Sequence, residues 1–179
     1  TSKFQGVLFD LGISTMQLSD PKKGLSFKSD SFLDMRMSSL CNQNHFPLPR
    51  IYNSLSDIRE QTKKENLTAY HLVNFLAEAE LLKTFQKFGE ERFARPIVKA
   101  IARIRKNQEI KTTQELVQII ETVKKTRYGE IHPATKIFQA LRIAVNDELE
   151  NLKQGLVQSL EVLEPKSRIA VISFHSLED

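Results

Sequence analysis

The sequence predicts an α/β protein in which a helical block interrupts a parallel strand–helix–strand crossover. Three observations carry this. Residues 5–10, around Gly6-Val7-Leu8-Phe9, form a short apolar run that ends in Asp10. Residues 168–173, Arg-Ile-Ala-Val-Ile-Ser, form a second run without alternation, the pattern of a strand covered on both faces. Between them lie helical periodicities and loops, so the first strand, a long final helix and the last strand read as one parallel crossover. Two strands do not make a stable sheet. The chain is therefore either an unusual small fold or a piece of a larger sheet.

Each element has a local reason. Residues 11–37 read as loop, with Gly12, Pro21, Gly24 and several serines. Residues 38–66 are polar and aperiodic, with Pro47 and Pro49, and read as an irregular insertion. Thr68 is a candidate N-cap for a helix whose Leu72, Phe75, Leu76 and Ala79 share a face. Leu81, Leu82, Phe85 and Phe88 mark a second helix, with Gly89 placed as its C-terminal glycine. Phe93, Ile97, Ile101 and Ile104 mark a third, with Pro96 near its start. Thr112 and Glu115 form a capping box before Leu116, Ile119, Ile120 and Val123. After Pro133, one stripe of Phe138, Leu141, Val145, Leu149, Leu152, Leu156 and Leu160 predicts a single long helix, closed by Pro165.

Composition fits a globular chain of 179 residues, 40% hydrophobic and 27% charged. No apolar run approaches membrane-spanning length, and one cysteine, Cys41, excludes an internal disulfide. The net charge of +4 is unevenly placed. Residues 81–127 hold 12 Lys+Arg and 5 Asp+Glu, a balance of +7, which leaves −3 elsewhere. A basic block of this kind is either a solvated helix face or a footprint for a polyanion. Arg92, Arg95, Lys99, Arg103, Arg105 and Lys106 are its candidate polyanion-facing cations.

The candidate chemistry lies at the strand ends. Ligands of open α/β sheets bind beyond the carboxyl ends of strands. The first strand runs out into Asp10-Leu11-Gly12-Ile13-Ser14-Thr15, the last into Ser173-Phe174-His175-Ser176-Leu177-Glu178. If the strands are parallel, both polar runs share one edge. Taken singly, Asp10 and Ser173 read equally well as turn or helix caps. A Ser-His-Asp hydrolase lacks its G-x-S-x-G elbow, and there is no P-loop or dinucleotide glycine fingerprint. The four histidines, His45, His71, His132 and His175, have no zinc-type spacing, so no metal site is expected.

Four blocks then resemble one family in order and spacing: "DLGISTMQLSDPKKGLSF…LDMRM", "FGEERFAR", "HPATKIFQALRIAVNDEL" and "RIAVISFHSLED". The family is the MraW-type small-subunit ribosomal RNA methyltransferases, which use S-adenosylmethionine to methylate the N4 amino group of a cytidine. Only residues 38–66 read as lying outside the resemblance. Gly24-Leu25-Ser26-Phe27 stands where the family has G-F-S-F, Asp30-Ser31-Phe32 where it has D-G-P, and Lys166-Ser167 where it has a glycine pair.

The resemblance implies part of a class I, Rossmann-like methyltransferase sheet with an inserted all-helical subdomain. Its divisions would be 1–37 (first strand and active-site loop), 38–66 (insertion), 67–128 (helical RNA-recognition subdomain) and 129–179 (long helix and second strand). It implies S-adenosylmethionine contacts at Asp10 and Gln17. It implies a catalytic edge of Asp10 and Ser14 with Ser173 and His175. Asp34-Met35-Arg36-Met37 would organise the loop over the site, with Arg36 either contacting phosphate or, the favoured reading, pairing internally with Asp34. The partner would be small-subunit ribosomal RNA or the small ribosomal subunit, in the bacterial cytoplasm or an organellar matrix. The family's glycine-rich cofactor loop has no counterpart in these residues, so the expectation is a stretch incomplete at both ends and inactive alone. The alternative is a non-catalytic RNA-binding module that uses the basic helical block.

Overall fold

Strand β1 (Phe4–Asp10) pairs in parallel with β2 (Leu163–Ile172), and the two make a two-stranded sheet. The computed structural model describes residues 3–38, 47–63, 66–125 and 129–178. Uninterrupted pairing runs from Gly6↔Arg168 to Asp10↔Ile172, which matches the strand expected at 168–173. Before it the register breaks between Phe4 and Gly6, where Lys166 adopts φ 72°. The chain divides into two units: residues 1–14 with 147–179, and residues 15–146.

In the first unit, helix α8 (Glu148–Val162) approaches the sheet where Gly155 meets Phe9. A Cβ on Gly155 would come within 3.2 Å of the Phe9 ring. By the pleat, Val7, Phe9 and Ile169 share that face and are half-covered. Leu8 and Ile172 lie on the other face and are 63% and 46% exposed. The expectation that the second strand is covered on both faces is thus corrected. Among the described residues of this unit, one helix covers one face and nothing covers the other. Val157 and Leu160 of α8 are exposed as well. Uncovered apolar strand and helix faces are what a piece of a larger sheet displays.

The second unit is helical and holds the hydrophobic core. Its elements are α1 (Thr15–Ser19), α2 (Leu55–Thr62), α3 (Ala69–Phe75), α4 (Glu78–Gly89), α5 (Ala94–Arg105), α6 (Thr113–Val123) and α7 (Thr135–Asn146). Thr68 and Thr112 are N-caps with complete capping boxes, as their spacing predicts. In the first box the N3 partner is His71, whose ring accepts from the Thr68 backbone N–H. α4 packs chiefly on α7, and α5 packs against both α4 and α6. No helix among the described residues is long and apolar enough to cross a membrane.

Several expectations change. The loop 11–37 contains the short helix α1, and the irregular stretch 38–66 contains α2, capped by Ser54. Cys41 and His45 lie outside the described residues. α3 stops at Phe75 because Leu76 turns extended and bridges Tyr52; Ala77 N–H donates to the Tyr52 carbonyl at 2.8 Å. α4 ends with Glu90, not Gly89, in the left-handed region. Gly89 serves close packing instead, since a Cβ there would sit 2.5 Å from the Lys136 carbonyl oxygen of α7.

The single long helix expected after Pro133 is two helices. Asp147 takes φ 56°, a left-handed conformation that Asn and Asp tolerate better than most residues. The Asn146 side chain is held from outside the helix. Its Nδ2 donates to the Met35 carbonyl at 2.8 Å and its Oδ1 accepts from Met37 N–H at 2.8 Å.

Tyr70 lies in the core with its ring against Phe32 and Phe75. Burial, then the charge of Glu109 and a hydrogen bond to it, push the phenol up to about 12 from 10.0. The folded value is raised, so the neutral phenol contributes stability in full below pH 10.0, and that contribution is lost as pH rises through about 12. Alkaline unfolding should therefore steepen across this window, and Tyr70→Phe should remove that component. Denaturant midpoints measured against pH check this; parallel curves for the two proteins would contradict it.

Candidate functional site

In the first unit the parallel pairing brings both polar strand ends to one edge. Leu11 N–H donates to the Ile172 carbonyl at 3.2 Å, so the chain leaves both strands side by side. Asp10 is exposed and lies on the same uncovered face as Leu8. Its carboxylate makes no hydrogen bond or ion pair among the described residues. Gly12 has φ 90°, and a Cβ on it would stand 3.5 Å from the Phe174 ring, which is itself 69% exposed. The backbone conformation, rather than the space beside the ring, favours glycine there.

The opposite strand end is more ordered. After β2, Ser176–Glu178 forms a short 3-10 turn. Glu178 Oε2 accepts from Phe174 N–H at 2.9 Å, and Glu178 Oε1 lies 3.2 Å from His175 Nε2. That contact has ion-pair length but lies off the hydrogen-bonding direction, and His175 Nδ1 is buried without a partner among the described residues. The carboxylate thus fixes one side of the imidazole. Glu178 was not singled out from the sequence, although its spacing of three from His175 was available as a signal. Ser14 is exposed and Ser173 half-buried, and both are engaged in further contacts. Asp10, Ser14, Ser173 and His175 thus all belong to the first unit.

Gln17 belongs to the other unit, half-buried on α1. So does the Asp34–Arg36 pair. Arg36 Nη2 and Asp34 Oδ2 are 2.7 Å apart, Arg36 Nε donates to Asp34 Oδ1 at 2.7 Å, and both side chains are almost fully buried. Arg36 is paired internally, as expected, and the segment ties helices of the larger unit rather than lying free as a loop.

The basic residues separate into two groups. Arg92, Arg95, Lys99, Arg103 and Lys106 are all exposed, at spacings of three, four, four and three. Such spacing places them in one stripe along α5 and its flanks, opposite the buried Ala94, Ile97, Val98 and Ile101. None makes a hydrogen bond or ion pair among the described residues. Arg105 differs. Its Nη1 donates to the carbonyls of Val73 at 2.8 Å and Leu76 at 2.7 Å, closing the C-terminal turn of α3. Burial lowers its affinity for the proton, partly offset by the charge of Glu78. Its guanidinium is engaged with backbone inside the unit, which sets it apart from the exposed stripe.

The fold and these edges define an α/β chain with a small parallel sheet and a helical unit that carries a basic face. The MraW methylase family matches residues 1–45 and 52–179, and the chain belongs to this family. Only residues 46–51 fall outside the match, so most of the 38–66 stretch is family length rather than extra. The chain is 46% identical over 176 residues to a ribosomal RNA small subunit methyltransferase H of Persephonella marina, covering 97% of this chain and 52% of that protein. Proteins of the same name from Caldicellulosiruptor saccharolyticus and Carboxydothermus hydrogenoformans are 42% and 44% identical over 177 and 175 residues. Those matches cover 99% and 97% of this chain, and 50% and 49% of the relatives. The chain spans about half the length of the curated relatives it matches.

The two groups of cations should separate in stability measurements. Arg105→Gln removes charged hydrogen bonds to two carbonyls and should cost the helical unit about 1.5–3 kcal/mol. Lys99→Gln on the exposed stripe should change stability by no more than about 0.5 kcal/mol. Urea unfolding of both variants measures the difference, and equal midpoints would contradict the assignment of Arg105.

Proposed function

We propose that this chain is part of an enzyme that transfers a methyl group from S-adenosylmethionine to the N4 amino group of a cytidine in small-subunit ribosomal RNA. The sheet is then a part of a class I, Rossmann-like methyltransferase sheet, and the enzyme works in the bacterial cytoplasm. The observation that carries this proposal is the parallel pairing of the two family motifs, which sets the ends of β1 and β2 side by side at Leu11 and Ile172. Membership in a family whose curated relatives are named as methyltransferases supports it and does not favour a purely non-catalytic RNA-binding module.

The residues at the end of β1 fit part of such a ligand. Asp10 offers an exposed acceptor-only carboxylate, and Gly12 at φ 90° turns the chain just beyond it. We assign Asp10 to holding S-adenosylmethionine, which supplies the methyl group. The cytosine amino group is a weak nucleophile because its lone pair is delocalised into the ring. Acceptors must turn its hydrogens so that the nitrogen lone pair points along the line of attack. Asp10 and Ser14 provide acceptor oxygens at one strand end, and Ser173 at the other. When the N–C bond forms, N4 loses a proton, and His175 beside Glu178 can hold one. A base within paired RNA is out of reach, so the target cytidine is single-stranded or flipped out.

RNA affinity falls to the stripe of Arg92, Arg95, Lys99, Arg103 and Lys106. Contacts from such cations to phosphates position a strand without reading its sequence. Transfer of labelled methyl groups from S-adenosylmethionine to small ribosomal subunits tests the whole proposal, using the complete protein that contains this chain. Asp10→Ala should lower kcat/KM by about 100-fold or more if its acceptor acts in the transition state. Combined Gln substitution of Arg95, Lys99 and Arg103 should leave kcat nearly unchanged and reduce the salt slope of RNA binding by about 0.7 for each phosphate no longer neutralised. Full activity of the Asp10 variant would refute its role. An unchanged salt slope would remove the stripe from the interface.

A further inference from the structure

Phe93 is the one large aromatic among the described residues of the helical unit that stands well exposed, at 47%. A single exposed apolar residue is ordinary and by itself means little. Three features set this one apart. Its backbone is fixed from below: Phe93 N–H donates to Glu91 Oε1 at 2.9 Å, and the Glu91 side chain is almost completely buried. The other carboxylate oxygen, Oε2, accepts from Lys124 Nζ at 2.9 Å. That same ammonium lies over the Phe93 ring, 5.7 Å from its centroid. Two exposed cations adjoin in sequence, Arg92 before the ring and Lys125 after Lys124. The ring sits immediately before α5, whose exposed face carries the basic stripe.

This is an aromatic surface held rigid by a buried carboxylate and bordered by cations. Nothing in the core of the helical unit requires an exposed ring there. Protein sites for single-stranded nucleic acid combine these two parts, a cationic track for the backbone and an aromatic ring on which a base stacks. Every base has a π-face, so such a contact adds affinity for unpaired strands with little choice of sequence. The ammonium over the ring also favours a neighbouring phosphate.

We propose that Phe93 is a stacking platform for an unpaired base of the RNA whose phosphates lie along the α5 stripe. This rests on the RNA-binding role of that stripe, and it narrows the ligand from any polyanion to a strand with at least one unpaired base at this position. Arg92, Lys124 and Lys125 then flank the stacked nucleotide, and Glu91 is a positioning residue that sets the ring through the Phe93 backbone.

These 179 residues contain no tryptophan, so Phe93→Trp installs a new reporter at the site, read against the parent's own fluorescence. Titration of this variant with a single-stranded RNA oligonucleotide should quench its fluorescence, with the same midpoint as anisotropy of the labelled RNA. Heparin, which has charge and no bases, should bind without comparable quenching. Phe93→Leu should lose about fivefold or more in affinity for the oligonucleotide while its salt slope stays that of the parent, because no cation is removed. Salt-sensitive RNA binding with unchanged Trp fluorescence, or with Phe93→Leu as tight as the parent, would overturn the stacking site and leave the stripe intact. No RNA binding by the parent chain would overturn both.

Discussion

A buried carboxylate–guanidinium pair, Asp34 with Arg36, holds the segment on which the helical unit depends. Asp34 Oδ1 accepts from both the backbone N–H and the Nε of Arg36, which bends the chain around Met35 at φ 64°. That bend turns the backbone groups of Leu33, Asp34 and Met35 outward to neighbours far away in sequence. Ala69 and Tyr70 N–H donate to the Asp34 and Leu33 carbonyls and dock the start of α3. Leu33 N–H donates to the Lys111 carbonyl ahead of α6, and Asn146 at the end of α7 clamps Met35 and Met37. Leu33 and Met35 are wholly buried between these contacts. Removing one partner of such a buried pair costs about 3–5 kcal/mol, because the other charge is left unsatisfied. Here the cost would spread to three helices, since one short segment ties them together.

The same logic sorts the other cations. Arg36 and Arg105 reach acceptors within the unit, a carboxylate in one case and two main-chain carbonyls in the other. Lys124 reaches the buried Glu91 and covers Phe93. These three serve the architecture. The α5 stripe has no internal acceptors among the described residues, and its fixed charges remain available to a polyanion. A helix with an apolar buried face and its cations on the exposed face presents its field in one direction, which is the arrangement that raises association rates with a charged strand.

Much of this was legible in the sequence because it is local. Thr68 and Thr112 announce their helices through groups three residues away, and the apolar run at 168–173 announces β2 through its own composition. The internal pairing of Arg36 was legible too, from a neighbour two positions off. What could not be read depends on distant partners. The apolar stripe continues across Asn146 and Asp147 without interruption, and the helix breaks there because Met35 and Met37 hold Asn146. Arg103 and Arg105 look equivalent as charges along the chain; only the Val73 and Leu76 carbonyls distinguish them. Gly89 has the sequence position of a helix terminator, and its real constraint is the Lys136 carbonyl of another helix. At the strand ends the edge was legible, and the spacing of three between His175 and Glu178 was the available signal for the contact that the short 3-10 turn makes.

Under the proposed function, the parallel pair of strands carries the chemistry, and its product is a modified cytidine in small-subunit ribosomal RNA. The most direct measurement is nucleoside mass spectrometry of small-subunit ribosomal RNA from cells lacking the complete protein. N4-methylated cytidine should fall in those cells, return with the wild-type protein and fail to return with Asp10→Ala. Unchanged N4-methylation in the deletion strain would contradict the assigned reaction.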